Sequence, residues 1–169
     1  MTSVSRRAAC RGFTFIELVI TLALIGLLSM FTLPMYDMTV TRMKESELRQ
    51  ALRTIRSGLD AYKAATDAGT LTKEAGESGY PRSLEKLTES LEIQGKRDLF
   101  GSIASQRMVI LRQLPRDPFC MDAELPAALT WNTRAYASRA SDPQPGDDVF
   151  DVSSKSDRTA LDGTPYSDW

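Results

Sequence analysis

The feature that most constrains this chain is an unbroken apolar run near its N-terminus. Residues 13–33 contain a single charged side chain, that of Glu17. These 21 residues, rising about 1.5 Å each, span about 31 Å, close to the hydrocarbon core of a bilayer at about 30 Å. A secretory signal peptide is the alternative, but its apolar core is only about 7–15 residues long. The run therefore predicts a transmembrane helix.

The residues before the run predict its orientation. Arg6, Arg7 and Arg11 precede it without any acidic residue, and such basic flanks stay in the cytoplasm. Arg42 and Lys44 follow on the other side and reduce this bias. We expect a single-pass protein with a cytoplasmic N-terminus and a C-terminal domain outside.

The composition excludes several kinds of site. The chain has no histidine, which excludes Ser-His-Asp and Cys-His catalysis and histidine-containing zinc sites. Its two cysteines, Cys10 and Cys120, flank the apolar run and predict no disulfide framework. The formal net charge is −1, and no basic region with interleaved aromatic residues predicts a nucleic-acid partner. We therefore expect neither an enzyme nor a nucleic-acid-binding protein.

A second helical pattern follows the apolar run, between residues 38 and 65. Leu48, Leu52, Ile55, Leu59 and Tyr62 lie 4, 3, 4 and 3 residues apart, the spacing of a helix with one buried face. The pattern predicts that this segment packs against a globular domain. A coiled coil is the alternative, although the heptad stops after about two repeats.

Pro34 stands between the two helical segments. A proline removes one backbone hydrogen bond and clashes with the preceding turn, so we expect a kink or local unwinding before the helix resumes. On the exposed side of the resumed helix, Glu45 with Arg49 and Arg56 with Asp60 are spaced to form i,i+4 ion pairs.

The remainder of the chain predicts turns and short strands. Alternating side chains predict a half-exposed strand over residues 130–138, and a second strand at 149–152 that pairs with it antiparallel. Two prolines flank Arg116 and Asp117, which we interpret as a turn stabilised by its own polar side chains rather than as a site. The predicted fold class is α+β, with a long N-terminal helix packed on a small antiparallel β-sheet.

The start of the apolar run resembles the type IV pilins and the pseudopilins of type II secretion. A short basic leader ends in Gly12 and is followed by Phe13 and by Glu17, the fifth residue after the glycine. The resemblance implies that prepilin peptidase cleaves between Gly12 and Phe13 and that Phe13 is then N-methylated. Proteins of this family also often carry a proline where Pro34 stands.

The same resemblance implies a division of the chain into three parts. Residues 1–12 are the cleaved leader, residues 13–36 the transmembrane segment, and residues 37–169 a periplasmic pilin-like domain. The implied location is the cell inner membrane.

Glu17 is an ionisable group inside an apolar helix, where it is costly unless it has a partner or a function. In one interpretation it neutralises the terminal ammonium group of a neighbouring subunit once the helices pack side by side. In the other it extends to the headgroups, because it lies near the membrane edge. The flanking motif favours the first interpretation.

The resemblance is greatest to the major, or G-type, pseudopilins. It is carried by Tyr80-Pro81, the 114–119 turn and the ending Asp168-Trp169. It implies a structural subunit of a pseudopilus that polymerises with its own copies and other pseudopilins on an inner-membrane assembly platform. The alternative is a type IV pilin or minor pilin for adhesion, motility or DNA uptake.

The acidic end of the chain raises the question of a metal. Calcium binds six to eight oxygen ligands, and major pseudopilins have a calcium loop in this region. The similarity to that loop implies a calcium site at Asp157 and Asp162, with Ser154 or nearby carbonyls completing the shell. Arg158 stands where the family usually has glycine, and a solvated acidic loop without metal is the alternative.

Overall fold

The structure of the protein is a computed structural model that describes residues 12–73, 76–93 and 106–169. It divides into two compact units, Met1–Thr41 and Arg42–Trp169. One helix, α1 (Phe15–Asp67), contributes residues to both units. The leader residues 1–11 lie outside the described part of the chain.

The helix α1 is 53 residues long and continues without interruption through Pro34. The local unwinding predicted at Pro34 is thus absent from the described backbone. The helix ends where Gly69 adopts a φ of 71°. This left-handed conformation, which glycine adopts without strain, lets Thr70 donate its N–H back to the carbonyl of Ala65 at 2.9 Å.

From Phe15 to Met30 the large apolar side chains of α1 are 43–82% exposed, so they pack against no other described segment. An 18-residue window of the helix has a mean hydropathy of 2.3 and no buried residue. By length and composition, the helix is suited to cross a membrane. This agrees with the transmembrane helix predicted from the apolar run.

The second unit contains the hydrophobic core. The predicted stripe forms its centre, because Leu48, Leu52, Ile55 and Leu59 are all at most 3% exposed and Tyr62 packs at its edge. The residues of the C-terminal segments that cover the stripe include Leu84, Leu87, Leu114, Phe119, Trp131, Val149, Val152, Ala160 and Tyr166.

Two antiparallel strand pairs complete the part of the second unit that the structure describes. Strands β1 (Leu91–Ile93) and β2 (Gln106–Met108) pair with Leu91 opposite Met108. Strands β3 (Trp131–Arg134) and β4 (Asp151–Ser154) pair with Trp131 opposite Ser154. The predicted α+β class and the predicted antiparallel pairing near the C-terminus are confirmed.

Strand β3 is shorter than the predicted strand over residues 130–138. It ends because the following backbone forms a turn, in which Ser138 donates its N–H to the carbonyl of Ala135 at 3.1 Å. Tyr136 donates its N–H to the Asp148 side chain at 2.8 Å. Alternating polarity alone did not reveal that this segment turns away from the sheet.

The described part of the second unit also contains three short 3₁₀ helices: Leu84–Leu87, Ala127–Thr130 and Tyr166–Asp168. The first follows Ser83, whose side chain makes no capping hydrogen bond. The 114–119 turn is stabilised as predicted, because the buried Asp117 carboxylate accepts the N–H of Phe119 at 2.8 Å and the hydroxyl of Ser154.

The two i,i+4 ion pairs predicted on α1 are wrong. Glu45 is only 7% exposed, and its carboxylate accepts the N–H of Leu161 at 2.8 Å and the hydroxyl of Tyr166 at 3.1 Å. Arg56 instead donates to Asp151 at 2.8 Å. Both changes have one cause: the C-terminal part of the chain covers this side of α1.

Candidate functional site

The residues predicted for processing lie at the exposed start of α1. Gly12, Phe13 and Thr14 precede the first helical residue, and the Phe13 side chain is 80% exposed. A Cβ atom on Gly12 would meet nothing within 4 Å, and its φ is not positive. Neither space nor backbone conformation in the described fold therefore requires glycine at position 12.

Glu17 takes part in a reciprocal cap at this helix start. Thr14 accepts the N–H of Glu17 on its hydroxyl oxygen at 3.3 Å, and a Glu17 carboxylate oxygen accepts the N–H of Thr14 at 3.5 Å. This is a capping box, in which two backbone donors without helical partners are satisfied. The Thr-x-x-Glu spacing is the signature of this cap, but it is not among the features predicted above from the sequence.

The cap places the Glu17 carboxylate where α1 has its positive end. An acidic group there interacts favourably with the helix dipole. Cleavage between Gly12 and Phe13 would create an ammonium group only four residues before Glu17. The arrangement therefore keeps a carboxylate close to the position of a new positive charge, whether that charge belongs to the same chain or to a neighbour.

Pro34 is not part of this cluster. It lies 17 residues after Glu17 on α1, which is about 26 Å along a helix. Nothing in the structure tests its predicted role in assembly, which stays a prediction.

Two of the three predicted calcium ligands, Ser154 and Asp162, are engaged in other bonds. Ser154 is fully buried, donates its hydroxyl to Asp117 and accepts the N–H of Ser156 at 3.0 Å. Asp162 accepts the hydroxyl of Thr164 at 2.6 Å and its N–H at 3.0 Å. These hydrogen bonds lower the pKa of Asp162, and the bond from the Thr164 hydroxyl has the larger effect. Asp157 is exposed.

This arrangement does not fit a calcium ion. Within the described ranges no three Asp, Glu, Cys or His side chains stand together as metal ligands, and calcium needs six to eight oxygens. Arg49 also lies 3.7 Å from Asp162, so a metal ion would have to compete with this cation for the carboxylate. Calcium binding by this segment stays an untested prediction.

Side chains of α1 hold the C-terminal segment in place. Besides Asp151, Arg56 donates to the carbonyl oxygens of Val152 at 3.0 Å and Trp169 at 2.7 Å. Burial, and then the hydrogen bond to Glu45, raises the pKa of Tyr166 to about 12. No local pattern in the sequence pairs Arg56 with residues about a hundred positions later, so these contacts with the C-terminal segment could not be predicted from the sequence.

Comparison with known proteins gives one match, at the N-terminus. Residues 7–33 match the family model of the prokaryotic N-terminal methylation motif. They include Gly12, Phe13, Glu17 and the whole apolar run. Neither the curated proteins nor the solved structures gave a significant match. The N-terminal segment of this chain therefore carries the methylation motif that is characteristic of type IV pilin-like proteins, which prepilin peptidase processes.

Proposed function

We propose that the chain is a structural subunit of a pseudopilus in a type II protein secretion system. The observation that carries this proposal is the start of α1, where Gly12 and Phe13 precede a helix that carries a capped Glu17 in its first turn and exposed apolar side chains on every side. Before assembly, the membrane surrounds such a helix. In a filament, neighbouring copies of the same helix pack around it.

Processing accounts for a glycine that the fold does not need. The described residues leave free space at position 12, and its backbone conformation is not one that favours glycine, so the described fold gives no reason for a small residue there. A peptidase pocket that admits only a small side chain beside Phe13 supplies such a reason. Cleavage there removes the three leader arginines and leaves Phe13 as the N-methylated first residue.

Assembly accounts for the carboxylate in the apolar segment. In a bundle of parallel α1 helices, Glu17 of one subunit neutralises the terminal ammonium group of the next. Both charges then leave water as a pair, which avoids the cost of burying either one alone. Pro34, other pseudopilins and an inner-membrane assembly platform belong to the same proposal, as does a periplasmic location for residues 37–169.

Secretion is favoured over a surface pilus by the sequence of the second unit. Cys120 is its one cysteine, whereas major pilins often carry a C-terminal disulfide pair. The Tyr80-Pro81 segment and the 114–119 turn also resemble the major pseudopilins. A type IV pilin or minor pilin remains the second candidate.

Two glycines offer a controlled test of processing. Gly12 and Gly26 both have open space where a Cβ would be added, so neither Gly12→Leu nor Gly26→Leu should disturb the fold. We expect Gly12→Leu to accumulate as uncleaved precursor and Gly26→Leu to be cleaved like the wild type. Normal cleavage of Gly12→Leu, seen by gel mobility in membranes, would contradict the proposal.

Deletion of the gene for this chain distinguishes a role in secretion from a role in a surface pilus. If it forms a pseudopilus, cells without it should retain otherwise secreted folded proteins in the periplasm. If they secrete normally but lose surface fibres, motility or DNA uptake, the pilin alternative is correct.

A further inference from the structure

An open groove lies in the second unit near the end of α1. It has a volume of about 1110 Å³ and runs between the segments around Tyr80 and Tyr136. The two rings stack with centroids 5.8 Å apart, and both meet the ring of Phe150 edge-on. Tyr136 is 59% exposed, so the groove presents an aromatic surface to the outside.

The rim of the groove is acidic. Its charged lining residues are Glu77, Asp147, Asp148 and Arg82, which leaves a formal charge of −2. Arg82 lies 2.7 Å from Glu77, so the two aspartates carry the excess. The Asp148 side chain accepts the backbone N–H of Tyr136 at 2.8 Å, which holds this carboxylate at the backbone of Tyr136 in the same groove.

An aromatic face beside a carboxylate is suited to an arginine side chain. The guanidinium group stacks on the ring and donates hydrogen bonds to the acid. This protein uses the combination elsewhere: Arg134 lies 4.7 Å from the centre of the Phe150 ring and 3.2 Å from Asp151. The groove has the aromatic and acidic parts of such a site without an arginine stacked on Tyr136 among the described residues.

An arginine row on α1 supplies the complementary charge. We define it as Arg42, Arg49 and Arg53, which line one shallow depression on the helix. Arg49 is engaged by Asp162 and by the Trp169 ring, 4.1 Å from its centre. Arg42 and Arg53 are exposed and make no hydrogen bond or ion pair with any described residue. They are 11 residues apart, about three helical turns, and so share one face.

The row does not reach the groove of its own subunit. The ammonium group of Lys63 lies 5.9 Å from the Tyr80 ring centre, so Lys63 marks the level of the groove along α1. Arg53 and Arg42 precede Lys63 by 10 and 21 residues, which is about 15 and 32 Å along the helix. A second copy shifted along α1 by such a distance brings its row level with the groove.

We propose that the groove binds the arginine row of a second copy of this chain, with Arg53 or Arg42 inserted between Tyr136 and the aspartates. This inference rests on the proposed function, because a filament needs a head-to-tail contact between two different surfaces of each subunit. In this arrangement the first unit makes apolar contacts between subunits, and the second unit makes a polar contact as well.

Charge reversal in the processed full-length chain tests the pairing. Asp147→Arg should lower the yield of sedimented filaments by at least about tenfold, because it places like charges together. The double change Arg42→Glu with Arg53→Glu should do the same, and the two sets combined should restore most of the yield. The matched controls, Glu124→Arg and Arg112→Glu, reverse exposed charges outside both surfaces and should assemble normally.

A crosslink tests the geometry independently of charge. In a Cys120→Ser background, a bismaleimide about as long as an arginine side chain should link Asp147→Cys to Arg53→Cys or to Arg42→Cys as dimers in filaments, because a direct disulfide is too short for this contact. It should not link Glu124→Cys to Arg53→Cys. Thermal melts of each variant establish that it folds.

The outcomes separate this inference from the proposed function. If the wild type assembles and the reversed variants assemble equally well, the groove is not a subunit contact. If Asp147→Arg folds but fails to assemble and the combined variant does not recover, the groove binds something other than the arginine row. A processed wild type that never assembles instead contradicts the proposed function.

Discussion

The first half of α1, through Met30, leaves its large apolar side chains exposed, whereas the second half buries Leu48, Ile55 and Leu59 almost completely. The first half is apolar around its whole circumference, and the second is apolar along one stripe. A helix of the first kind needs a surrounding apolar medium, and one of the second kind needs a single folded partner. One continuous helix thus serves two environments through its residue pattern alone.

The largest expected effect concerns the one charged residue of the first half. Glu17→Val should still insert and be processed, because it makes the helix more apolar, but it should not enter filaments. Crosslinking in membranes measures this. Undiminished assembly would mean that Glu17 only extends to the headgroups.

Two further variants separate the charge of Glu17 from its cap. Glu17→Gln keeps a side chain that suits a capping box but removes the charge, so it should fail like Glu17→Val. Thr14→Ala removes the cap but keeps the charge, so it should assemble. If Gln assembles and Thr14→Ala fails, capping rather than ion pairing is what assembly requires.

The comparison of the two halves is sharpened by one substitution in each. Ile55→Ala removes a fully buried side chain and should lower the free energy of unfolding by about 2–5 kcal/mol. Ile25→Ala, at a residue 59% exposed, should change it by less than about 0.5 kcal/mol. Thermal or denaturant unfolding of the full chain in detergent tests both. Similar losses would mean that the first half also packs on protein.

A pH dependence tests the contact between Glu45 on α1 and Tyr166 in the C-terminal segment. Burial chiefly raises the pKa of Tyr166 to about 12, from an unfolded value of about 10. The contribution of Tyr166 to the free energy of unfolding is complete below pH 10 and declines as the pH rises towards 12. It declines because the unfolded chain then loses a proton that the folded chain retains. The loss is about 2–3 kcal/mol.

Tyr166→Phe is the control for that experiment. The difference in unfolding free energy between wild type and variant removes the background of the other tyrosines. It should vary between pH 9 and 12 and be constant at lower pH. A difference that is constant throughout would mean that Tyr166 is not buried against Glu45.

The smallest expected effect is that of calcium. Because Ser154 and Asp162 bond to other protein groups, melting temperatures with calcium and with chelator should agree. A rise with calcium that disappears in Asp157→Ala would show that the segment rearranges into the predicted site.

The parts of the fold that follow from local patterns were predictable. The buried stripe of α1, the pairing of β3 with β4 and the Asp117 turn all depend on spacing or turn residues within a short segment. Glu45 and Arg56 were predicted wrongly, since their i,i+4 neighbours are visible in the sequence but the distant segment that covers them is not. The capping box has a visible signature, Thr14 and Glu17 three residues apart, but the apolar run around Glu17 points to the charge of its side chain rather than to a hydrogen bond with the backbone.

The mass of the N-terminal peptide of the membrane-bound protein tests the central claim most directly. We expect a chain that begins at Phe13 and carries one methyl group on its terminal nitrogen, with the apolar half of α1 intact. A chain that still begins at Met1, or one cut after Pro34 so that the apolar half is lost, would contradict it.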